Sequence, residues 1–359
     1  NPGNDYCQGI TRRKVANMKK QNIDWDALGF GVYPTRSMWK STCPIDGDWT
    51  SGGLIPYGNI EISPAAGVLN YGQGVFEGMK AYHSAKNRIV LFRPDMNGKR
   101  IASSSKRLCM PELQTDYFVN AVEKVVNDNM DFIPPHGKGG LYIRPIVWGT
   151  APILGVAPSS EYTFMIYTAP VGSYFKGNIK PLNLIASEFY HRAAPKGIGN
   201  VKAIGNYSAS LRPVIEANAQ GFDEVLYLKA DDERLVEEVG SANIFMRKGN
   251  QLVTPKLSGS ILPGVTRKSI IQLAQDQLGL NVEEGDLLLK DIFSADEVFC
   301  TGTAVVVTPV GQVTFQGETH IINDGNMGDA ATELRKTLLG IQREEIEDPY
   351  GWVHKVNIL

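Results

Sequence analysis

The sequence is poor in the residues that build metal and redox sites. Its four cysteines, Cys7, Cys43, Cys109 and Cys300, stand far apart, and no CxxC pair or Cys/His cluster occurs among the 359 residues. We therefore predict neither a bound metal nor a redox pair, and a reducing compartment is the simplest environment. A chain of this length can bury a core large enough to fold without disulfides.

Neither charge nor hydropathy indicates a nucleic-acid or membrane partner. The 36 basic and 38 acidic side chains leave a net charge of −2, and the two signs are mixed along the chain. A surface for nucleic acid or an anionic membrane normally shows a basic excess. No apolar run approaches the roughly 20 residues that a membrane span needs. We expect small molecules as partners, no nucleic acid, no membrane, and a cytoplasmic location.

The first thirty residues look peripheral and contain a basic stretch, and the chain does not begin with Met. A solvated helix face explains the basic stretch. The alternative is a segment that follows a removed targeting peptide, which would place the protein in an organelle matrix. The basic residues are Arg12, Arg13, Lys14, Lys19 and Lys20.

Periodicity along the chain predicts two mixed α/β domains. Pro94 suits the first turn of a helix that would carry Arg100, and Thr115–Asn129 has apolar residues at helical spacing. Pro170–Pro181, rich in proline and glycine, predicts a linker. We predict a small N-terminal domain over 1–170 with a peripheral extension over 1–30, a linker over 171–181, and a large domain over 182–359. Strands are predicted at Arg88–Phe92, Leu141–Trp148, Tyr162–Tyr167, Leu182–Ser187, Asp223–Leu228, Ile244–Arg247, Leu252–Thr254, Val298–Phe299 and Val305–Val307.

The strand Leu141–Trp148 has two chemically different faces. Alternation places Leu141, Ile143 and Val147 on one face, as an ordinary core requires. Tyr142 and Arg144 lie with Trp148 on the other. A phenol beside a guanidinium suits a wall that binds carboxylates, although a polar face that meets solvent explains the pattern equally well.

Two turns offer backbone amides to an anion. Gly264-Val265-Thr266 opens a helix predicted to end at Leu278 before Gly279, and a helix start leaves N–H groups unpaired. A plain threonine cap is the alternative there. The small-residue turn Thr301-Gly302-Thr303-Ala304 also offers hydroxyls and amides, and a tight strand connection is its alternative. Nucleotide and hydrolase motifs are missing, because the glycines at 72, 74 and 78 have the wrong spacing and no Walker A or GxSxG sequence occurs.

The segment 195–207 places a lysine among glycines and small apolar residues. Val201, Ala203 and Ile204 flank Lys202. An apolar setting lowers the pKa of a lysine, and a neutral amine is what Schiff-base chemistry requires. An exposed loop lysine is the alternative that the residues alone leave open.

Taken together, these segments resemble one family, the branched-chain aminotransferases among the fold-type-IV pyridoxal-phosphate enzymes. The likeness covers nearly the whole chain after about residue 22. It implies an α/β (α+β) fold with a smaller N-terminal and a larger C-terminal domain, and a homodimer with the site at the domain interface, completed by the partner. The matching segments are Asn70-Tyr71-Gly72, Phe76-Glu77-Gly78, Tyr142-Ile143-Arg144-Pro145, Val201-Lys202 through Asn206-Tyr207, Glu238-Val239-Gly240, Ile261 through Arg267, and Thr301-Gly302-Thr303-Ala304.

The resemblance implies a role for each matching residue. Lys202 would be the catalytic residue, forming the Schiff base with pyridoxal 5'-phosphate and moving the proton. Tyr207 would bind the phenolic oxygen of the cofactor and Glu238 its ring nitrogen, although two surface acids would otherwise explain Glu237-Glu238. The implied phosphate cup is Arg100, Val265, Thr266 and Thr303, with Ser241 near the cofactor in place of a threonine common in some members. The implied substrate pocket is Tyr71, Phe76, Tyr142, Arg144 and Tyr174, together with the backbone of Thr303-Ala304.

The expected reaction is ping-pong transamination of leucine, isoleucine or valine with 2-oxoglutarate, which gives branched 2-keto acids and L-glutamate. Other fold-type-IV enzymes that act on D-amino acids or amines are the nearest alternative, and a non-catalytic phosphate-ligand-binding protein is a second. Mammalian members carry a CxxC pair where this chain has Val305 and Thr308, so no thiol switch is expected at that turn.

Overall fold

Two β-sheets form the frame of the molecule, in a computed structural model that describes residues 23–172 and 179–358. The first sheet has eight strands in the order β17-β5-β4-β6-β7-β1-β2, with β3 paired to β6. Its strands are β1 Ser37–Pro44, β2 Gly53–Pro56, β3 Gly74–Phe76, β4 Met79–His83, β5 Ile89–Phe92, β6 Gly140–Gly149, β7 Glu161–Val171 and β17 Val353–Lys355.

The second sheet has nine strands in the order β10-β9-β8-β15-β14-β11-β12-β13, with β16 paired to β15. An additional pairing of β10 with β11 closes six of these strands into a ring around an apolar centre. The strands are β8 Leu182–Ala186, β9 Glu224–Lys229, β10 Asp232–Val239, β11 Ala242–Lys248, β12 Gln251–Pro255, β13 Asn281–Gly285, β14 Glu297–Gly302, β15 Val306–Phe315 and β16 Glu318–Ile321.

The described helices pack against the two sheets, and the last long helix contacts strands of both. Longer helices pack by apolar stripes, such as Leu334, Leu338 and Ile341 of the last one, whose spacing was available in the sequence. Every helix in the described part of the chain is too short or too polar to cross a bilayer. The α-helices are α1 Gly67–Tyr71, α2 Pro94–Arg107, α3 Thr115–Asp128, α4 Ile204–Ser208, α5 Leu211–Ala219, α6 Val265–Leu278, α7 Leu289–Ile292 and α8 Asp329–Gln342, with 3-10 turns at Met130–Phe132 and Asn323–Gly325.

The mixed α and β architecture that the sequence predicted is confirmed, and so are most of the predicted elements. In β6, Leu141, Ile143 and Val147 are buried in the core under α2 and α3, as alternation requires. Tyr142 and Arg144 lie on the opposite face and are partly exposed. The predicted wall therefore faces away from the core.

The strand β7 extends into the proline- and glycine-rich segment from which a linker is predicted. Pro170 and Val171 still belong to β7, where they pair with Leu141 and Gly140 of β6. The residues of β1 that pair with β7 reach only as far as Ile166, so the proline lies where the sheet has one neighbour and costs fewer ladder bonds. The three-part division at 171–181 stays a prediction. The last strand of the chain, β17, pairs with β5 in the first sheet.

Candidate functional site

Lys202 is held between the two sheets at the start of α4. Its backbone N–H donates to Ser104 Oγ (3.3 Å), and its carbonyl accepts from the N–H of Phe76 (3.1 Å). Its neighbours Val201 and Ala203 are buried. The apolar residues around this lysine therefore pack into the core and fix its backbone, which the sequence alone left open.

The side chain of Lys202 points to Tyr207, five residues further on in α4. Its Nζ donates to Tyr207 Oη at 2.8 Å. Burial and the nearby Arg100 guanidinium lower the pKa of Lys202 to about 7. Burial raises the pKa of Tyr207, so the phenol keeps its proton. A neutral amine is therefore available at physiological pH, as nucleophilic and proton-transfer chemistry requires.

Glu238 lies at the end of β10, and it is buried together with its neighbour Glu237. Its Oε1 accepts from Arg192 Nη2 (3.2 Å) and from the backbone N–H of Leu262. Burial raises the pKa of Glu238 to about 7, while Arg192 opposes the shift. Oε2 takes no part in these bonds, so one oxygen remains for a further donor.

A group of anion donors lies at the start of α6. Gly264 precedes the first helical residue, Val265, and a Cβ at this glycine would overlap Asn243 Oδ1. Asn243 in turn donates to the carbonyl of Leu262 (2.9 Å). Gly264 at the N-cap has no side chain that could bind the first-turn amides, so these amides stay open. This favours an anion site over a helix capped by a threonine.

Arg100 and Thr303 approach the same helix start from other elements. Arg100 Nη1 donates to the carbonyl of Pro263 (3.0 Å), and the Thr303 hydroxyl donates to the carbonyl of Gly78 (3.2 Å). A cavity of about 30 Å³ lies between Thr303 and the helix start. Its lining includes Gly78, Asn97, Val265, Thr266 and Thr303. The four residues of the predicted phosphate cup are thus brought together from three separate elements.

The predicted substrate wall stands beside the lysine. Arg144 Nη2 donates to Tyr142 Oη (3.1 Å), and the Arg144 guanidinium lies 4.8 Å from the centre of the Phe76 ring. Lys202 Nζ lies 4.6 Å from the same ring, which also meets the Tyr207 ring at 4.7 Å. Phe76 therefore contacts both the Lys202 amine and the Arg144 guanidinium of the wall.

Within the described part of the chain, the remaining predicted residues form no hydrogen bond or ring contact with Lys202 or the wall. Tyr71 ends α1, and its hydroxyl donates to the carbonyl of Leu154. Ser241 is exposed in the turn between β10 and β11, and Ala304 follows Thr303 in the turn between β14 and β15. Tyr174 lies outside the described residues.

Sequence reasoning missed several residues that shape the site. Glu77 lies within a matching motif but carries no sequence signal of its own, although its carboxylate binds Arg100. Arg192 carried no local signal, because its partner Glu238 is 46 residues away. Phe30, from the segment predicted to be peripheral, meets the Tyr142 ring edge-on at 5.0 Å.

Pyridoxal 5'-phosphate fits the groups present. A partly buried amine, a buried carboxylate with one oxygen left over, and an open helix start match its aldehyde, ring nitrogen and phosphate. Lys202, Tyr207, Glu238 and the cup at Val265-Thr266 are the residues that would hold it.

Comparisons with known proteins point the same way. The family model for amino-transferase class IV matches residues 74–313. The chloroplastic branched-chain-amino-acid aminotransferase 3 of Arabidopsis thaliana is 49% identical over 349 residues, which cover 96% of this chain and 84% of the relative. The mitochondrial branched-chain amino acid aminotransferase 1 of Humulus lupulus is 45% identical over 342 residues, which cover 95% of this chain and 86% of the relative. A solved branched-chain amino acid aminotransferase from Escherichia coli has a TM-score of 0.75 at 28% identity, and the match covers 90% of this chain and 99% of that one.

Proposed function

Because this chain belongs to the class IV aminotransferases, we propose that it transfers amino groups from L-leucine, L-isoleucine or L-valine to 2-oxoglutarate, with pyridoxal 5'-phosphate as cofactor. The observation that carries the proposal is the position of Lys202 Nζ. It lies 2.8 Å from Tyr207 Oη and 4.6 Å from the centre of the Phe76 ring, which the Arg144 guanidinium also contacts. The amine thus stands next to the wall that is expected to receive the amino acid.

The cofactor and this chain divide the chemistry between them. When bound, pyridoxal 5'-phosphate supplies an aldehyde that condenses with amines and a ring that takes up electron density from the α-carbon. Lys202 Nζ is the group that would accept the α-proton and return it, and a pKa of about 7 suits both directions. Tyr207 fixes the position of Nζ, and Glu238 would accept a hydrogen bond from the ring nitrogen through its free oxygen.

One pocket has to accept both an aliphatic side chain and the γ-carboxylate of glutamate. Phe76 and Tyr142 offer aromatic faces to the first. Arg144, held by its bond to Tyr142, offers donors to the second. The backbone of Thr303-Ala304 would bind the α-carboxylate, since it forms a turn of small residues beside the cup.

A half-reaction tests the function directly. Purified protein loaded with pyridoxal 5'-phosphate should absorb visible light, and L-leucine or L-glutamate without a keto acid should bleach that band. Bleaching by D-alanine in place of L-leucine would indicate a D-amino-acid enzyme of the same fold instead. The Lys202→Ala protein should bind the cofactor without turnover, and turnover near the wild-type rate would refute the assignment.

A homodimer in which the partner completes each pocket explains the position of Tyr71. This tyrosine is 40% exposed and bonded to Leu154, whose own exposure is 92%, while Leu69 and Val156 are also exposed. Exposed apolar residues grouped in this way are typical of a protein interface. Sedimentation velocity should show a dimer that Leu154→Asp weakens, and a wild-type monomer at micromolar concentration would contradict the proposal.

An organelle matrix is the location that the relatives favour over the cytoplasm. The two plant relatives described above are named chloroplastic and mitochondrial. Expression of the complete coding sequence with a C-terminal fluorescent protein would show the compartment, and diffuse cytosolic signal would restore the first expectation.

A further inference from the structure

A fully buried charge lies next to the site at Glu77, a residue with no role in the proposed binding of cofactor or substrate. The side chain of Glu77 has no exposed surface, and that of Arg100 is 9% exposed. Arg100 Nε donates to Glu77 Oε1 (2.7 Å) and Arg100 Nη2 to Oε2 (2.8 Å). This is the two-pronged geometry that gives an arginine and a carboxylate their strongest pairing.

Further bonds fix the carboxylate itself. Asn97, one turn before Arg100 on α2, donates to Glu77 Oε2 (2.8 Å), and the backbone N–H of Gly78 donates to the same oxygen (3.2 Å). The Arg100 guanidinium holds the pKa of Glu77 below its usual range against the effect of burial. The carboxylate therefore stays charged and stays in one place.

The backbone at Glu77 is shaped for this purpose. β3 ends at Phe76 and β4 begins at Met79, so Glu77 and Gly78 form a break between two strands that both pair with β6. Within the break, the Glu77 N–H donates to the carbonyl of Pro145 (2.8 Å). The Glu77 side chain is thereby turned toward α2, while Phe76 on one side faces Lys202.

Two N–H donors of Arg100 remain after its bonds to Glu77 and Pro263. A guanidinium has five N–H donors in one plane. Two are used by Glu77 and one by the carbonyl of Pro263. Each of the two terminal nitrogens keeps one N–H, and the bond to Pro263 places them beside the first turn of α6. The remaining donors thus have a fixed direction at the predicted phosphate cup.

We propose that Glu77 is a positioning residue that orients Arg100 for the cofactor phosphate, an inference that rests on the proposed function. Its effect should fall on the phosphate and not on the rest of the cofactor. A carboxylate that only stabilised the fold would affect every ligand alike. The two roles therefore differ in a measurable ratio, the affinity for pyridoxal 5'-phosphate relative to pyridoxal.

The test uses cofactor-free protein and measures binding of both compounds by quenching of protein fluorescence. Glu77→Gln should weaken pyridoxal 5'-phosphate binding by about tenfold or more, as loss of a second-layer partner typically does, and leave pyridoxal binding nearly unchanged. In an Arg100→Met background, Glu77→Gln should lower the ratio no further, because Glu77 acts through Arg100. The matched control is Glu344→Gln, which removes another buried carboxylate that Arg88 binds through two nitrogens.

Each outcome has one meaning. An unchanged ratio in folded Glu77→Gln protein overturns the inference, as does an equal loss for both compounds. If Glu77→Gln does not fold, Asn97→Ala removes one bond to the carboxylate, and it should lower the ratio by a smaller factor. An unchanged ratio in that variant then overturns the inference. A wild-type protein that binds the two compounds equally would instead refute the phosphate cup of the proposed function.

Discussion

Thr303 and Gly78 are 225 residues apart, and the Thr303 hydroxyl donates to the Gly78 carbonyl at 3.2 Å. This bond joins the turn between β14 and β15 to the break between β3 and β4. The first turn borders the predicted phosphate cup and the second the substrate wall. The two halves of the chain therefore meet at the site through short backbone segments, whose small residues allow the close approach.

Gly78→Ala should disturb substrate binding. A Cβ at this position would overlap Tyr142 Oη. Because Tyr142 is held by Arg144 and cannot move freely, we expect KM for L-leucine to rise about tenfold, the lower range of effects of a displaced positioning group. Steady-state kinetics with Gly58→Ala, where nothing lies near the added methyl, provides the control. Equal kinetics in both variants would contradict the contact.

Arg144→Met should separate the two classes of substrate. Loss of the guanidinium removes the donors for a γ-carboxylate but leaves the aromatic faces of Phe76 and Tyr142. We expect kcat/KM for L-glutamate to fall about 100-fold, since truncating a charge-bearing partner costs several kcal/mol, and kcat/KM for L-leucine to fall much less. Parallel losses for both donors would show that Arg144 serves the fold of the wall only.

Lys202 should react as a neutral amine at an unusually low pH in cofactor-free protein. Its pKa is lowered to about 7 by burial and by Arg100. The neutral fraction should therefore rise through pH 7 and level off above it, whereas an ordinary lysine continues to rise until about pH 10. Acetylation rates from pH 5 to 10, followed by peptide mass spectrometry, measure the midpoint. Exposed lysines of the same protein, whose rates should still be rising at pH 10, serve as the internal standard, and a Lys202 profile like theirs would contradict its lowered pKa.

Tyr207→Phe should lower kcat without loss of cofactor binding. The variant keeps the ring that meets Phe76 but loses the acceptor of the Lys202 Nζ bond. We expect kcat to fall about tenfold or more, which is below the roughly 10²–10⁴-fold contribution of the proton-transferring group itself. Tyr190→Phe, which loses a bond to Glu216 at the surface of the second sheet, is the control. If kcat in Tyr207→Phe matches that of the control, the Tyr207 bond has no role in proton transfer.

The sequence by itself determined the features that depend on neighbours along the chain. Alternation in β6 placed Tyr142 and Arg144 on one face, because successive strand residues point to opposite sides. Gly264 before Val265 indicated a helix start with open amides. Such patterns need only local geometry, so they could be predicted from the residues and from the family they resemble.

Only the tertiary structure decided which distant groups meet. Glu77 is 23 residues from Arg100, and Arg192 is 46 from Glu238, yet both pairs are buried and bonded. No local pattern distinguishes these carboxylates from surface acids, because an acid is stable in the interior only where a partner from another element replaces water. The buried charges of the site, and with them the lowered pKa of Lys202, follow from packing between the two sheets.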